Sequence, residues 1–232
     1  MKHKKRKKNH KFTKFLILAT FIIMIIGLYK TGKITTEVSA NAEEVNNVIK
    51  KKYEVEEEIL LVNKDNPLSE DYKVELTEYD NHLVSKEIID ELEKMYKDAK
   101  KDGVNLNINT AYRDKKEQQE ILDRRIKLYA SEGLTQKEAK KKALTEVQLP
   151  GCSEHETGLA IDFSNPSKPE DNEPMWIWLE ENSYKYGFIL RYPKDKTEIT
   201  NVSNEDWHYR YVGKETAKEM KEKNECLEEY LA

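Results

Sequence analysis

The sequence predicts an α+β domain with a small, mainly antiparallel sheet flanked by helices. Two observations carry this reading. Helical and strand-like segments come in mixed order, without the regular alternation that builds a parallel sheet. The runs that read as strands are short, and the helices between them bring their own start signals. At 232 residues the chain can hold one well-buried domain with appendages. It shows no internal repeat.

The chain divides into four parts. Residues 1–14 are a basic tail with eight Lys or Arg and no acid. The overall charge is −4, so the remainder, without those eight positive charges, carries −12. An acidic body argues against nucleic acid as a partner. Residues 15–30 hold an uncharged run from Phe15 to Tyr29, flanked by Lys14 and Lys30. A spanning helix needs about 20 residues, and lysines at both ends can snorkel to extend a shorter one. Ala40-Asn41-Ala42 resembles a signal-peptide cleavage site, but at a longer spacing than is usual. The expectation is an uncleaved, single-pass membrane anchor, with secretion after cleavage at Ala42 as the alternative. In either case the basic end stays in the cytoplasm and the rest is extracytoplasmic. Residues 31–58 read as a charged linker, and the domain occupies 59–232.

Within the domain, Ile59 to Val62 is a short apolar run ended by turn residues through Pro67. From Ser85 to Lys101, apolar residues at Ile88, Ile89, Leu92, Met95, Tyr96 and Ala99 have helical spacing. Ser85 is the expected N-cap, and Gly103 lies past the end. Val104 to Asn109 alternates with period two and predicts a strand. Asp114 with Glu117, and Thr135 with Glu138, are capping boxes that open two further helices, the second expected to reach about Val147. Pro150-Gly151 breaks the chain. A short helix is expected around Trp176 to Leu179, strands at Phe188–Leu190 and Trp207–Val212, and a closing amphipathic helix over Lys214–Leu231.

The chemistry concentrates between Ser153 and Phe163. An apolar run, Leu159-Ala160-Ile161, leads into Asp162, and Gly158 permits a sharp backbone change ahead of it. A carboxylate closing such a run reads as a strand delivering one charge into a site, since an unpaired buried charge is expensive. The chain has five histidines. His3 and His10 lie in the tail and His82 in an expected polar loop. The other two, His155 and His208, sit in the stretches that also carry Asp162 and Glu205. His155, Asp162 and His208 are therefore candidate metal ligands, with Glu205 left unligated. Three protein ligands leave an open position for water on a zinc ion, and the spare carboxylate can take that water's proton. Arg113, after the expected strand, can reach a substrate carboxylate or a developing oxyanion. Gln118 lies one helical turn on. Cys152 and Cys226 are too few for a disulfide framework; whether they pair is open.

Ser153, His155 and Asp162 stand in a Ser-x-His-x-x-x-x-x-x-Asp pattern, and Glu205 and His208 in Glu-x-x-His. Tyr112 and Arg113 are followed by Gln118 five residues after the arginine. These patterns resemble the zinc D-alanyl-D-alanine carboxypeptidases of the VanY type, related in fold to lysostaphin-like and hedgehog domains. The resemblance covers about residues 59–213. It implies zinc held by His155, Asp162 and His208, and Glu205 as general base. It also implies Arg113 as oxyanion stabiliser, and Ser153, Gln118 and Tyr112 on the substrate side. The implied activity is D,D-carboxypeptidase action on peptidoglycan stem peptides. An L,D-carboxypeptidase acting on tetrapeptide stems is the near alternative, and a non-catalytic zinc-containing wall-binding module the distant one.

Overall fold

Asp80 and Asn81 both take positive φ, 49° and 60°, as the two-residue turn of a tight hairpin requires. They join β1 (Leu76–Tyr79) to β2 (His82–Ser85). The structure, a computed structural model, describes residues 59–232. The basic tail, the Phe15–Tyr29 run and the linker to residue 58 lie outside the described residues. Among those described, no helix is long and apolar enough to cross a membrane.

Ser85 then starts a helical stretch, its hydroxyl accepting from the Glu87 amide. A 3₁₀ turn, Lys86–Ile88, leads into α1 (Ile89–Lys101). Ile88, Leu92, Met95 and Ala99 fall on one face and are fully buried, as helical spacing dictates. Both expected capping boxes form, Asp114 with Glu117 opening α2 (Lys115–Ser131) and Thr135 with Glu138 opening α3 (Gln136–Ala143). These two helices close on their own apolar cluster of Leu122, Tyr129, Ala139, Ala143 and Val147.

The remaining elements build a second, four-stranded antiparallel sheet in the order β3-β4-β6-β5. Its strands are β3 (Ile108–Thr110), β4 (Ala160–Phe163), β5 (Phe188–Leu190) and β6 (His208–Tyr211). Between them run α4 (Asn172–Asn182) and the single-turn α5 (Thr197–Thr200). Two helices, α6 (Lys214–Lys223) and α7 (Leu227–Tyr230), close the chain. Successive residues of a strand face opposite sides. Ile161, Phe163 and Tyr209 thus enter the core with α1 and α4, where burying each aliphatic or aromatic side chain contributes about 1.5–3 kcal/mol. Asp162, His208 and Arg210 occupy the other face.

The mixed, antiparallel architecture agrees with the expectation, and four details differ. The strand expected over Val104–Asn109 is confined to Ile108–Thr110, because the main-chain partners lie on β4 only from Ile108 onward. The helix expected to reach Val147 ends at Ala143, with Val147 packed from the following turn. The closing helix is two helices, broken where Asn224 adopts a left-handed φ of 53°. His82 is no loop residue; it opens β2, with its ring on the Asp80 carbonyl.

Gly158 sits at φ 69°, and a Cβ there would lie 2.8 Å from the Ser85 backbone nitrogen. That nitrogen also donates to the Gly158 carbonyl. Gly158→Ala therefore pushes backbone against backbone and should cost about 1–3 kcal/mol, read as a lowered Tm. An unchanged Tm would show that the approach is not tight.

Candidate active site

Register brings the site together. Asp162 on β4 pairs with His208 on β6, so their side chains leave the sheet side by side. His155 comes from a 3₁₀ turn, Glu154–Thr157, just ahead of β4. That turn is fastened to the segment after β3, where the Arg113 amide donates to the His155 carbonyl. One ligand-capable atom from each of His155, Asp162 and His208 lies within 4.8 Å of the others, and all three residues are buried.

Each imidazole is steered by a second partner. His155 Nδ1 is 2.7 Å from the Ala111 carbonyl. A carbonyl only accepts, so Nδ1 carries hydrogen and Nε2 presents its lone pair, 3.3 Å from Asp162 Oδ2. His208 Nδ1 is 3.0 Å from Asp162 Oδ1, and its Nε2 is 3.4 Å from Glu154 Oε2. Burial lowers the basicity of His208, yet hydrogen bonds to Asp162 and Glu154 outweigh it and push the imidazole up to about 10. His155 is instead held below its ordinary value, by burial first, with Asp162 opposing. Burial alone would raise the Asp162 carboxyl, but the two histidines hold it far below the usual carboxylate range.

Two imidazoles and a carboxylate converge here, each imidazole with one nitrogen aimed inward and the other engaged outward. That is the donor set of a zinc site with an open position, and the residues fit the metal. His208 has to give up its Nδ1 proton to take part.

Around the set lies a cavity of about 480 Å³, lined among others by Arg113, Gln118, Ser153, Tyr192, Glu205 and Trp207. Glu205 Oε2 is 3.7 Å from His208 Nδ1, beyond hydrogen-bond distance. Burial pushes its carboxyl up to about 7, against the pull of His208; a metal cation beside it would draw the value down again. Arg113 Nη1 donates to Gln118 Oε1 at 2.7 Å, and Gln118 Nε2 donates to the Gln148 carbonyl at 2.6 Å. Gln118 thereby holds the guanidinium in place while lining the cavity. Ser153, buried, lines the same wall.

Tyr112 does not join them. It is half-buried and absent from the cavity lining, its amide donating to the Leu83 carbonyl. Cys152 and Cys226 are both buried and unpaired, and Cys152 is not part of the metal cluster.

Sequence reasoning also passed over Glu154. Its side chain is fully buried, with Arg191 Nε at 2.8 Å and Arg210 Nη1 at 3.2 Å, both from Oε1. The Arg210 contact is a charge contact only, since Nη1 makes no aligned hydrogen bond. Burial would raise the Glu154 carboxyl, but the two arginines hold it far below its ordinary range. Tyr192 was missed as well; its ring packs 5.0 Å from that of His208.

Fold and site together define a zinc peptidase centre: an antiparallel sheet presenting a histidine and an aspartate, a second histidine from the turn ahead of it, and an unligated glutamate and a fixed arginine lining the same cavity. The VanY family, D-alanyl-D-alanine carboxypeptidase, matches residues 81–214. A D-alanyl-D-alanine carboxypeptidase of Enterococcus faecalis (strain ATCC 700802 / V583) is 43% identical over 199 residues, covering 84% of this chain and 74% of that protein. A solved mutant of the vancomycin resistance D,D-pentapeptidase VanY from a VanB-type cassette, in complex with Zn(II), aligns with a TM-score of 0.71 at 44% identity. It covers 74% of this chain and 97% of that one. VanYB in complex with D-alanine-D-alanine gives 0.71 at 45% identity, over 74% and 95%. The chain belongs to the VanY family of zinc D-alanyl-D-alanine carboxypeptidases.

Proposed function

We propose that this chain is a zinc-dependent D,D-carboxypeptidase that removes the terminal D-alanine of peptidoglycan stem peptides. The observation that carries the mechanism is Glu205, half-buried beside the His155–Asp162–His208 set, its carboxylate 3.7 Å from His208 Nδ1 and outside the set itself. A purely structural metal site needs neither this carboxylate nor Arg113, which favours an enzyme over a wall-binding module.

His155, Asp162 and His208 would hold the metal. A zinc ion there supplies Lewis acidity and makes water a better nucleophile at neutral pH. Glu205 accepts a proton from the attacking water and returns it to the leaving amine as the peptide C–N bond breaks. Arg113, locked by Gln118, offers its planar fork to negative charge developing on the scissile carbonyl oxygen. Ser153 and the Trp207 ring give the adjoining walls for the peptide.

The test is to incubate the zinc-loaded protein with stem pentapeptide and with stem tetrapeptide and to identify the amino acid released. D-Alanine from the pentapeptide, with little from the tetrapeptide, is the expected result. Release from the tetrapeptide alone would make the enzyme an L,D-carboxypeptidase, and release from neither would leave the binding module.

The substrate and the N-terminal region together motivate a placement. Eight basic residues before the uncharged Phe15–Tyr29 run support a single-pass anchor with residues 59–232 on the extracytoplasmic side. Protease added to intact protoplasts should then digest the domain; protection until lysis would sink this placement.

A further inference from the structure

We infer that the C-terminal helix is a working part of the metal centre: Glu228 on α7, through Arg191 and Glu154, fixes the imidazole of His208. The chain of contacts is continuous. Arg191 Nη1 donates to Glu228 Oε2 at 2.8 Å and Nη2 to Glu228 Oε1 at 2.6 Å, a two-bond fork. The same guanidinium donates from Nε to Glu154 Oε1 at 2.8 Å. Glu154 Oε2 then faces His208 Nε2 at 3.4 Å.

Burial makes this chain stiff. The Arg191 and Glu154 side chains have no exposed surface, and Glu228 keeps 15%. A planar guanidinium with three of its N–H groups committed cannot turn without breaking bonds in a dry environment. With Oε1 held by Arg191, Glu154 has Oε2 left for His208, and the plane of its carboxylate sets the tilt of the ring. Arg191 supports the ring by a second route, lying 4.7 Å over the Tyr192 ring that packs on His208.

Charge points the same way. Arg191 and Arg210 are matched by Glu154 and Glu228, two against two. Neutralising Glu228 leaves Glu154 as the one carboxylate between two buried guanidiniums. Its oxygens are then drawn toward the arginines and away from His208. The matched family segment ends at residue 214, so α7 lies beyond it and this support comes from outside that segment.

The helix has separate anchors that do not touch the chain of contacts. Leu227 is fully buried, and Glu229 reaches back to the Cys226 amide and pairs with Lys196 at 2.9 Å. That provides a control on the same turn of helix. The experiment measures zinc affinity of the full chain by competition with a chromophoric chelator, and the visible spectrum of the cobalt-loaded protein. Glu228→Gln keeps size and one acceptor but loses the two-bond fork. It should weaken zinc binding about tenfold or more, the range for an outer partner of a metal-ligating histidine, and should shift the cobalt bands. Glu229→Gln should lower Tm and leave both readouts as in wild type. Should Glu228→Gln not fold, Glu228→Asp keeps the charge, shortens the reach, and should weaken binding in the same direction. Wild-type affinity and spectrum in the folded Glu228 variant would overturn the inference, as would equal losses in Glu229→Gln. The inference rests on the His155–Asp162–His208 assignment: a wild-type chain that binds no zinc would overturn both, whereas a normal Glu228 variant overturns this one alone.

Discussion

Glu205→Gln should lower kcat by about two to four orders of magnitude, the usual worth of a positioned general base, with zinc still bound. Glutamine keeps the size and polarity of the side chain but cannot accept the proton. The Glu205 side chain makes no hydrogen bond to the three proposed ligands, and its main-chain carbonyl, which accepts from the His208 amide, is kept in glutamine, so metal retention and folding should be nearly those of wild type. The loss should fall on kcat more than on KM, because the missing proton transfer belongs to the transition state. A zinc-loaded Glu205→Gln protein with near-normal kcat would show that another group activates the water.

His208→Ala should act on the metal itself. It removes one of the three proposed ligands, so zinc affinity should fall by more than the roughly 10–100-fold that loss of an outer partner costs. It also takes from Glu154 the partner at 3.4 Å, although the Arg191 and Arg210 contacts remain to keep that carboxylate paired. The fold should therefore survive while the metal is lost. Metal analysis of the purified variant after dialysis is the check, and full occupancy would remove His208 from the ligand set.

The contrast between these residues and Glu154 shows what the sequence makes legible. His155, Asp162, Glu205 and His208 stand in two short stretches whose spacing can be read directly, and strand register then brings the stretches together. The capping boxes at Asp114 and Thr135 were equally local, and both form. Glu154 is different. It is one of 44 acidic residues, and its partners Arg191 and Arg210 lie far along the chain, so no window of sequence marks it as buried. A signal did exist. Arg210 follows His208 by two positions on a strand and so shares its face, and an arginine facing a buried site needs a carboxylate.

The β1–β2 hairpin was hidden for another reason. Its strands alternate weakly, with Glu78 and Leu83 both exposed, and only Asp80-Asn81 carried the turn signal. The break at Asn224 was likewise invisible, because apolar spacing continues through it to Leu227. That break matters, since it turns the last residues back so that Glu228 reaches Arg191.

The most direct measurement follows D-alanine release from stem pentapeptide while zinc is titrated into metal-free protein. Activity should rise from near zero, grow linearly, and level off at about one zinc per chain, the stoichiometry of a single three-ligand site. Full D-alanine release before zinc is added, or none at one equivalent, would contradict the account.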